Sequence, residues 1–253
     1  MPIHYYPYHL KFKAPFKIAS VERTGTDNLY LKFTKDGFEG WGEAVFPPYI
    51  RENQQTAIQR LADLNWEFTD EADLFRVIQQ NQTILYQEPS LACAMETSLL
   101  NWLAASKKTS LNEILQLDSI DKETSYTIGI SSNKEMEEVI KNTPEAMCFK
   151  LKVDENEIER IVTTYTSITS KTFVVDANQG FTNREKALYW ATELSKKGVA
   201  YFEQPFNKED FESHEWLKNR VNIPIIADES FQRIVDIEKA FKCFDGINVK
   251  IIK

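Results

Sequence analysis

Six short apolar runs between residues 124 and 252 decide the fold of this sequence of 253 residues. They read TSYTIGI (124–130), MCFKLKV (147–153), TFVVDAN (172–178), VAYFEQP (199–205), IPIIADE (223–229) and GINVKII (246–252). Stretches with helical spacing of apolar residues separate them. Successive runs start roughly 23–27 residues apart, which is about the length of one βα unit. Runs this apolar are typical of parallel strands buried on both faces. We therefore predict an α/β barrel of the TIM type, although six strands are fewer than the eight that such a barrel contains.

The first part of the chain has a different pattern. Three runs rich in aromatic and β-branched residues predict strands, namely HYYPYHLKFK (4–13), NLYLKFT (28–34) and FEGWGEAVF (38–46). Asp36 and Gly37 predict a hairpin turn between the last two runs. Helical spacing follows, ending in a long apolar helix for which Ser90 is the predicted cap. We therefore predict an α+β domain over residues 1–118 and an incomplete barrel domain over residues 119–253.

Composition excludes several classes of protein. Apolar residues make up 42% of the chain and charged residues 27%, as in an ordinary globular protein. The net charge of −8, without a basic patch, argues against a nucleic-acid partner. We find no apolar run of about 20 residues, the length of a membrane span, and no signal peptide. The three cysteines are widely spaced and odd in number, which favours a reduced, cytoplasmic protein.

Charged residues stand near the carboxyl ends of five successive predicted strands, where apolar residues would be expected. They are Lys150 and Lys152, Asp176, Glu203, Asp228 and Lys250. In a barrel of this type, the carboxyl ends of all strands meet at one face, and active sites lie there. Because a lone buried charge is costly, these side chains need partners. We therefore predict that the six residues form one active site.

Three of these residues are carboxylates on neighbouring strands, and together they predict a metal site. Asp176, Glu203 and Asp228 offer only oxygen ligands, which suit Mg²⁺, one ion per subunit. Lys152 precedes these strands and Lys250 follows them, so the two amines would face each other across a substrate. Such a pair suits removal of an α-proton on one face and its delivery on the other, while the metal stabilises the enediolate.

Other residues would support this chemistry. An unperturbed lysine has a pKa of about 10.4, so it is mostly protonated and a poor base at neutral pH. Both the metal and the neighbouring Lys150 would disfavour protonation of Lys152. Asn178 and Gln204 follow two of the metal ligands and are expected to donate hydrogen bonds to them. The three histidines, His4, His9 and His214, fit no ligand spacing, so we expect them to be surface or packing residues.

At these residues the sequence resembles the enolase superfamily, specifically its muconate-lactonizing subgroup. The motifs that carry the resemblance are KLK (150–152), VDANQG (175–180), FEQP (202–205), ADES (227–230) and NVKIIK (248–253). The α+β segment resembles the capping domain of that family. Within the subgroup, the sequence is most similar to dipeptide epimerases. That similarity is carried by PFKIA (15–19), GWGEA (40–44) and YTIGI (126–130).

The resemblance implies an isomerase, a dipeptide epimerase of the L-Ala-D/L-amino acid type that uses Mg²⁺. It implies that Lys152 and Lys250 alternate as acid and base and that Lys150 holds the substrate carboxylate. Thr127 matches a substrate-contacting position. Family members that prefer an acidic second residue carry an arginine in the cap loop. Here Val21 stands at that position, and Arg23, two residues on, is the candidate contact.

Two alternatives remain open from the sequence. The first is o-succinylbenzoate synthase, a dehydratase that uses the same metal ligands and lysines. The second is an inactive, truncated metal-binding remnant, because the family continues past the sixth strand with two more strands. An Asp-x-Asp pair on the eighth strand binds the dipeptide amino group in the family and is absent here. Members of the family are often homo-oligomers, and the resemblance allows that here.

Overall fold

A computed structural model describes residues 2–19, 21–47, 50–118 and 123–252 as two compact units. The first unit comprises residues 2–13 and 24–118, and the second comprises residues 14–23 and 123–251, within those described ranges. The sequence predicts a single boundary near residue 118. The structure differs in one respect, because residues 14–23 group with the second unit. One strand, Ile3–Lys17, continues across the change of unit at residue 14, so no change of secondary structure marks it.

A three-stranded sheet in the order β1-β2-β3 forms the first unit's β-layer. Its strands are β1 (Ile3–Lys17), β2 (Glu22–Lys35) and β3 (Phe38–Val45). The predicted hairpin is confirmed, since β2 and β3 are antiparallel with Lys35 opposite Phe38. Asp36 and Gly37 form the turn, with φ angles of 51° and 78°. Positive φ at both central residues matches the twist of the two strands, which is why Asp-Gly favours this turn.

Four helices and a short 3-10 turn complete the first unit. The helices are α1 (Gln54–Arg60), α2 (Glu71–Ile84), α3 (Pro89–Lys107) and α4 (Leu111–Ile114), and the turn is Leu61–Asp63. Alternate residues of β2 are fully buried in the core of this unit, namely Leu29, Leu31 and Phe33. Burial of every second residue is typical of a sheet with one covered face.

The start of α3 differs from the prediction. The helix begins at Pro89, so Ser90 lies in its first turn and does not cap it. The hydroxyl of Ser90 instead donates to the carbonyl oxygen of Val45 at 2.6 Å. The carboxylate of Glu52 accepts the backbone N–H groups of Ser90 and Leu91 at 2.9 and 3.0 Å. A residue 38 positions away thus satisfies the helix terminus, which no local motif could indicate.

The second unit contains six parallel strands in the order β4-β5-β6-β7-β8-β9. They are β4 (Ser125–Ile128), β5 (Cys148–Lys152), β6 (Thr172–Asp176), β7 (Phe202–Glu203), β8 (Ile225–Ala227) and β9 (Gly246–Ile247). All six predicted strands are confirmed, and each lies within its predicted run. An antiparallel capping sheet followed by a partial α/β barrel is the predicted fold class.

Helices alternate with these strands. They are α5 (Asn133–Asn142), α6 (Ile158–Ile168), α7 (Arg184–Lys196), α8 (Phe211–Lys218) and α9 (Ile237–Cys243), with a 3-10 turn at Ile234–Asp236. The core of this unit lies between strands and helices and includes Phe149, Leu151 and Phe202. Within the described ranges of the whole chain, no helix combines the length and apolarity that crossing a membrane requires.

The pairing of β5, β6 and β7 aligns the charged residues. Along β5, Phe149 and Leu151 are buried, whereas Lys150 and Lys152 alternate with them on the other face of the strand. Lys152 is the register partner of Asp176, and Asp176 is the partner of Glu203. Because the strands are parallel and in this register, their last residues lie side by side.

The close packing of β3 on α3 gives a testable expectation for stability. A Cβ atom on Gly42 would overlap the backbone carbonyl of Ala94, and backbone atoms cannot move aside as a flexible side chain can. We expect Gly42→Ala to lower the free energy of unfolding by about 3 kcal/mol or more. Gly37→Ala is the control, since no atom lies near its Cβ and its cost of about 1 kcal/mol comes from positive φ alone. Urea unfolding followed by circular dichroism measures both, and equal costs would contradict the packing argument.

Candidate metal centre and its lysines

Three carboxylates converge at the carboxyl ends of neighbouring strands. Asp176 is the last residue of β6, Glu203 is the last residue of β7, and Asp228 directly follows β8. One oxygen atom from each carboxylate lies within 4.8 Å of the other two. All three side chains are almost completely buried, with exposures of 0–2% of the residue surface. The three predicted metal ligands are therefore brought together.

The donor set fits a hard divalent cation. Carboxylate oxygens are the ligands that Mg²⁺ prefers, and Mg²⁺ is held in proteins by few carboxylates, with water or substrate at its other positions. Asp176, Glu203 and Asp228 could hold such an ion. Three carboxylates buried this closely would repel one another strongly without positive charge between or beside them.

Lysine side chains supply positive charge in this cluster. The Nζ atom of Lys152 lies 2.6 Å from Oδ2 of Asp176. The Nζ atom of Lys150 lies 2.9 Å from the same oxygen and 2.7 Å from the carboxylate of Glu203. The Nζ atom of Lys250 lies 2.7 Å from Oδ2 of Asp228. Three ammonium groups thus offset three carboxylates, which makes their shared burial tolerable.

The pKa values of the buried groups follow from these contacts. Burial opposes the charge of Lys150, but the carboxylates of Asp176 and Glu203 outweigh it and raise the pKa of this lysine. Burial likewise opposes the charge of Asp176, and the two lysines beside it outweigh burial and lower its pKa. The pKa of Glu203 is raised by burial and by the negative charge of Asp176. The carboxylates of Asp176 and Glu203 therefore favour the charged form of Lys150.

Side chains and backbone groups around the carboxylates fix their positions. The amide of Asn248 donates to Oε1 of Glu203 at 3.2 Å, and the backbone N–H of Asn178 donates to Oδ1 of Asp176 at 2.9 Å. Gln204 was expected to donate to a metal ligand. The structure differs, because its side chain accepts the backbone N–H of Asp228 at 3.0 Å. Asn248 is not among the residues that the sequence predicts for the site, although it stands two residues before Lys250 in the same run.

The two predicted substrate contacts outside the carboxylate cluster occupy β4 and β2. Thr127 is half-buried and is the register partner of Lys150, which places it beside the lysine on the neighbouring strand. Arg23 is half-buried near the start of β2. Their roles in binding a substrate stay predictions.

Of the three histidines expected at the surface or in packing, His214 lies in the core. Its ring is fully buried and stacks near Phe206 and Phe244. Its Nδ1–H donates to the carbonyl oxygen of Asp210 at 2.8 Å, while Nε2 accepts the backbone N–H of Phe206 at 3.3 Å. Both nitrogens are thus satisfied by the neutral ring. Burial lowers the pKa of His214 to about 4, and the carbonyl of Asp210 only partly offsets this effect.

The chain is similar to a described protein family and to named relatives. The family model described as "Enolase C-terminal domain-like" matches residues 133–253. An L-Ala-D/L-Glu epimerase from Bacteroides thetaiotaomicron is 28% identical over all of this chain and 67% of its own length. An L-Ala-D/L-amino acid epimerase from Flavobacterium johnsoniae is 29% identical over 97% of this chain and 74% of its own length. The chain thus spans about two thirds to three quarters of these relatives.

Solved structures share the fold. The L-Ala-D/L-Glu epimerase from Bacillus subtilis has a TM-score of 0.88 at 23% identity, covering 99% of this chain and 74% of that protein. A dipeptide epimerase from Cytophaga hutchinsonii, in complex with Mg and D-Ala-L-Val, has a TM-score of 0.86 at 24% identity, covering 99% and 71%.

These findings confirm the predicted resemblance to the enolase superfamily and the predicted fold class. The part of the chain that the family model matches, residues 133–253, carries the metal-ligand candidates and the lysines. The relatives that match the whole chain are named as epimerases of dipeptides, which are isomerases acting on amino acid derivatives.

The buried His214 gives a prediction for the pH dependence of stability. In the unfolded chain its pKa is about 6.5, so between pH 6.5 and 4 the unfolded state binds a proton that the folded state excludes. The contribution of the neutral His214 ring to the free energy of unfolding is complete above pH 6.5. It is lost as the pH falls from 6.5 to 4, by on the order of 3 kcal/mol. We expect His214→Phe to flatten the dependence of the unfolding free energy on pH between 6.5 and 4.

The control for this measurement is His4→Gln, which removes an exposed histidine. Urea unfolding at a series of pH values gives the slopes. An unchanged slope in His214→Phe would show that the buried ring does not exclude the proton.

Proposed function

We propose that this protein is a dipeptide epimerase of the L-Ala-D/L-amino acid type. The observation that carries the proposal is the cluster of three buried carboxylates with an amine from a separate strand at each end. Lys152 comes from β5 and contacts Asp176, whereas Lys250 follows β9 and contacts Asp228. The similarity of the whole chain to proteins named as dipeptide epimerases supports the same activity.

The order of the strands supports a two-base reaction. Asp176, Glu203 and Asp228 stand at the ends of β6, β7 and β8, which are consecutive in the sheet. Lys152 and Lys250 contact the first and last of the three. The two amines therefore approach the row of carboxylates from opposite ends, as removal of a proton from one face of a carbon and return to the other face require.

The three lysines and the three carboxylates have separate roles in this reaction. Lys150, charged and buried, binds the carboxylate of the dipeptide and orients its α-carbon. One of Lys152 and Lys250, as the neutral amine, accepts the α-proton, and the electron pair of the broken C–H bond moves onto the substrate carboxylate. The other lysine, as the ammonium, donates a proton to the opposite face. Bound at Asp176, Glu203 and Asp228, Mg²⁺ would supply positive charge that stabilises the enediolate form of the substrate.

Replacement of one carboxylate tests the metal centre. Replacing a residue that only supports a metal ligand typically weakens binding by about 10–100-fold. We expect Asp228→Asn to weaken Mg²⁺ binding by more than this factor. The reason is that the variant loses both a ligand charge and the balance with Lys250. Isothermal titration calorimetry measures the dissociation constant. Glu209→Gln, which removes an exposed carboxylate, is the control and should bind Mg²⁺ as the unchanged protein does. Equal affinities of all three proteins would contradict the assignment.

Deuterium exchange tests the two lysines. In D₂O with Mg²⁺, we expect L-Ala-L-Glu to gain one deuterium at the α-carbon of the second residue and to epimerise there. In Lys152→Ala and Lys250→Ala, epimerisation stops, because one face lacks its acid or base. Each variant should still exchange the α-proton of one epimer, and the two variants should act on opposite epimers. Mass spectrometry and chiral chromatography follow both events.

The control is Lys197→Ala, which removes an exposed lysine and should retain both exchange and epimerisation. Full epimerisation in either active-site variant would refute the two-base roles. A protein that binds Mg²⁺ but exchanges the α-proton of no dipeptide would refute the epimerase proposal.

A further inference from the structure

Gln204 stands next to Glu203 and occupies an unusual position. Its side chain is completely buried, and its backbone has a φ angle of 39°, in the left-handed region. A residue other than glycine seldom adopts this conformation, which costs roughly 1–2 kcal/mol. The conformation turns the chain immediately after the metal-ligand candidate of β7. The buried amide then lies between the ends of β7 and β8.

The amide oxygen of Gln204 contacts the segment that carries Asp228. Its Oε1 atom accepts the backbone N–H groups of Asp228 and Ser230, both at 3.0 Å. Because a carbonyl oxygen has two lone pairs, these two donors use its full capacity. The position of Asp228 is thus fixed by a side chain whose own backbone follows Glu203.

The amide nitrogen of Gln204 also makes contacts that fix its position. Nε2 of Gln204 donates to Oγ of Ser230 at 2.7 Å and to the carbonyl oxygen of Phe206 at 3.1 Å, and it lies 3.3 Å from Nε2 of His214. These contacts fix which end of the amide is oxygen and which is nitrogen. The side chain cannot rotate to withdraw its oxygen from Asp228 without leaving buried groups unpaired.

The backbone of Gln204 connects the same strands. Its N–H donates to the carbonyl oxygen of Ile226 on β8 at 2.9 Å. Its carbonyl oxygen accepts the N–H of Gln179, in the turn after Asp176, at 2.8 Å. One residue therefore contacts the segments that follow all three carboxylates.

We propose that Gln204 is a positioning residue of the metal centre, whose amide holds Asp228 at the spacing from Glu203 that a shared Mg²⁺ requires. The inference rests on the proposed function only in taking these carboxylates as metal ligands. It assigns a role in ligand geometry, since the amide oxygen of Gln204 accepts the backbone N–H of Asp228.

The choice of metal ion separates positioning from general stability. Mg²⁺ demands near-ideal octahedral geometry with short ligand distances, whereas Ca²⁺ accepts longer distances and irregular arrangements. A centre whose ligands are free to spread apart should therefore lose Mg²⁺ affinity more than Ca²⁺ affinity. A variant that is merely less stable should lose apparent affinity for both ions by the same factor.

The experiment compares Gln204→Met with Ser230→Ala by isothermal titration calorimetry with Mg²⁺ and with Ca²⁺. Gln204→Met keeps the side-chain length and removes all its hydrogen bonds. We expect Mg²⁺ affinity to fall by about tenfold or more and Ca²⁺ affinity by clearly less. Ser230→Ala removes a contact to the amide nitrogen but keeps the bond from Asp228 to Oε1, so the ratio of the two affinities should change little.

Circular dichroism establishes that each variant is folded. If Gln204→Met does not fold, Gln204→Asn provides the same comparison, since its amide is one methylene too short to reach Asp228. Equal losses for both ions, or no loss, would overturn the positioning role and leave the metal centre intact. Absence of Mg²⁺ binding by the unchanged protein would overturn the metal centre itself and the inference with it.

Discussion

The balance of three buried carboxylates by three lysines is the constraint on which the second unit depends. Asp176, Glu203 and Asp228 lie within 4.8 Å of one another by one oxygen atom each, in surroundings almost closed to water. At that spacing, like charges would repel strongly in a medium of low polarity. The parallel register brings Lys152 beside Asp176, and the alternation of β5 turns Lys150 to the same side. The sheet thus supplies positive charge from the neighbouring strand at the place where it accumulates negative charge.

Unusual backbone conformations accompany this concentration of charge. Asn178, Gln179 and Gln204 have φ angles of 42°, 68° and 39°, although none is glycine. Each would cost roughly 1–2 kcal/mol without compensation. The side chain of Asn178 donates to Glu229 at 3.1 Å, and that of Gln179 accepts the N–H of Lys208 at 2.9 Å. The turns after the strands are therefore held by long-range side-chain hydrogen bonds, which offset the strain.

The sequence predicts much of this arrangement because its signals are local. Apolar runs at regular spacing predict six strands, and charged residues near the ends of the last five runs predict the carboxylate cluster. The grouping of residues 14–23 with the second unit has no such signal, because the change at residue 14 falls within β1. Gln204 was assigned the wrong hydrogen-bonding direction for a similar reason. Whether its amide faces a carboxylate or a backbone N–H depends on a segment more than 20 residues later in the chain.

Glu52 shows that buried carboxylates in this chain are compensated in two ways. Its charge is opposed by burial, which raises its pKa, and is stabilised by the two N–H groups at the start of α3. These two N–H groups belong to the helix backbone, so they cannot move away from the carboxylate while the helix is folded. The lysines beside Asp176 and Asp228 are different, because the flexible side chain of a lysine can change rotamer and move its ammonium group away from the carboxylate. The charge of Glu52 is therefore compensated by fixed backbone groups. The charges of Asp176 and Asp228 are compensated by side chains that another cation could replace.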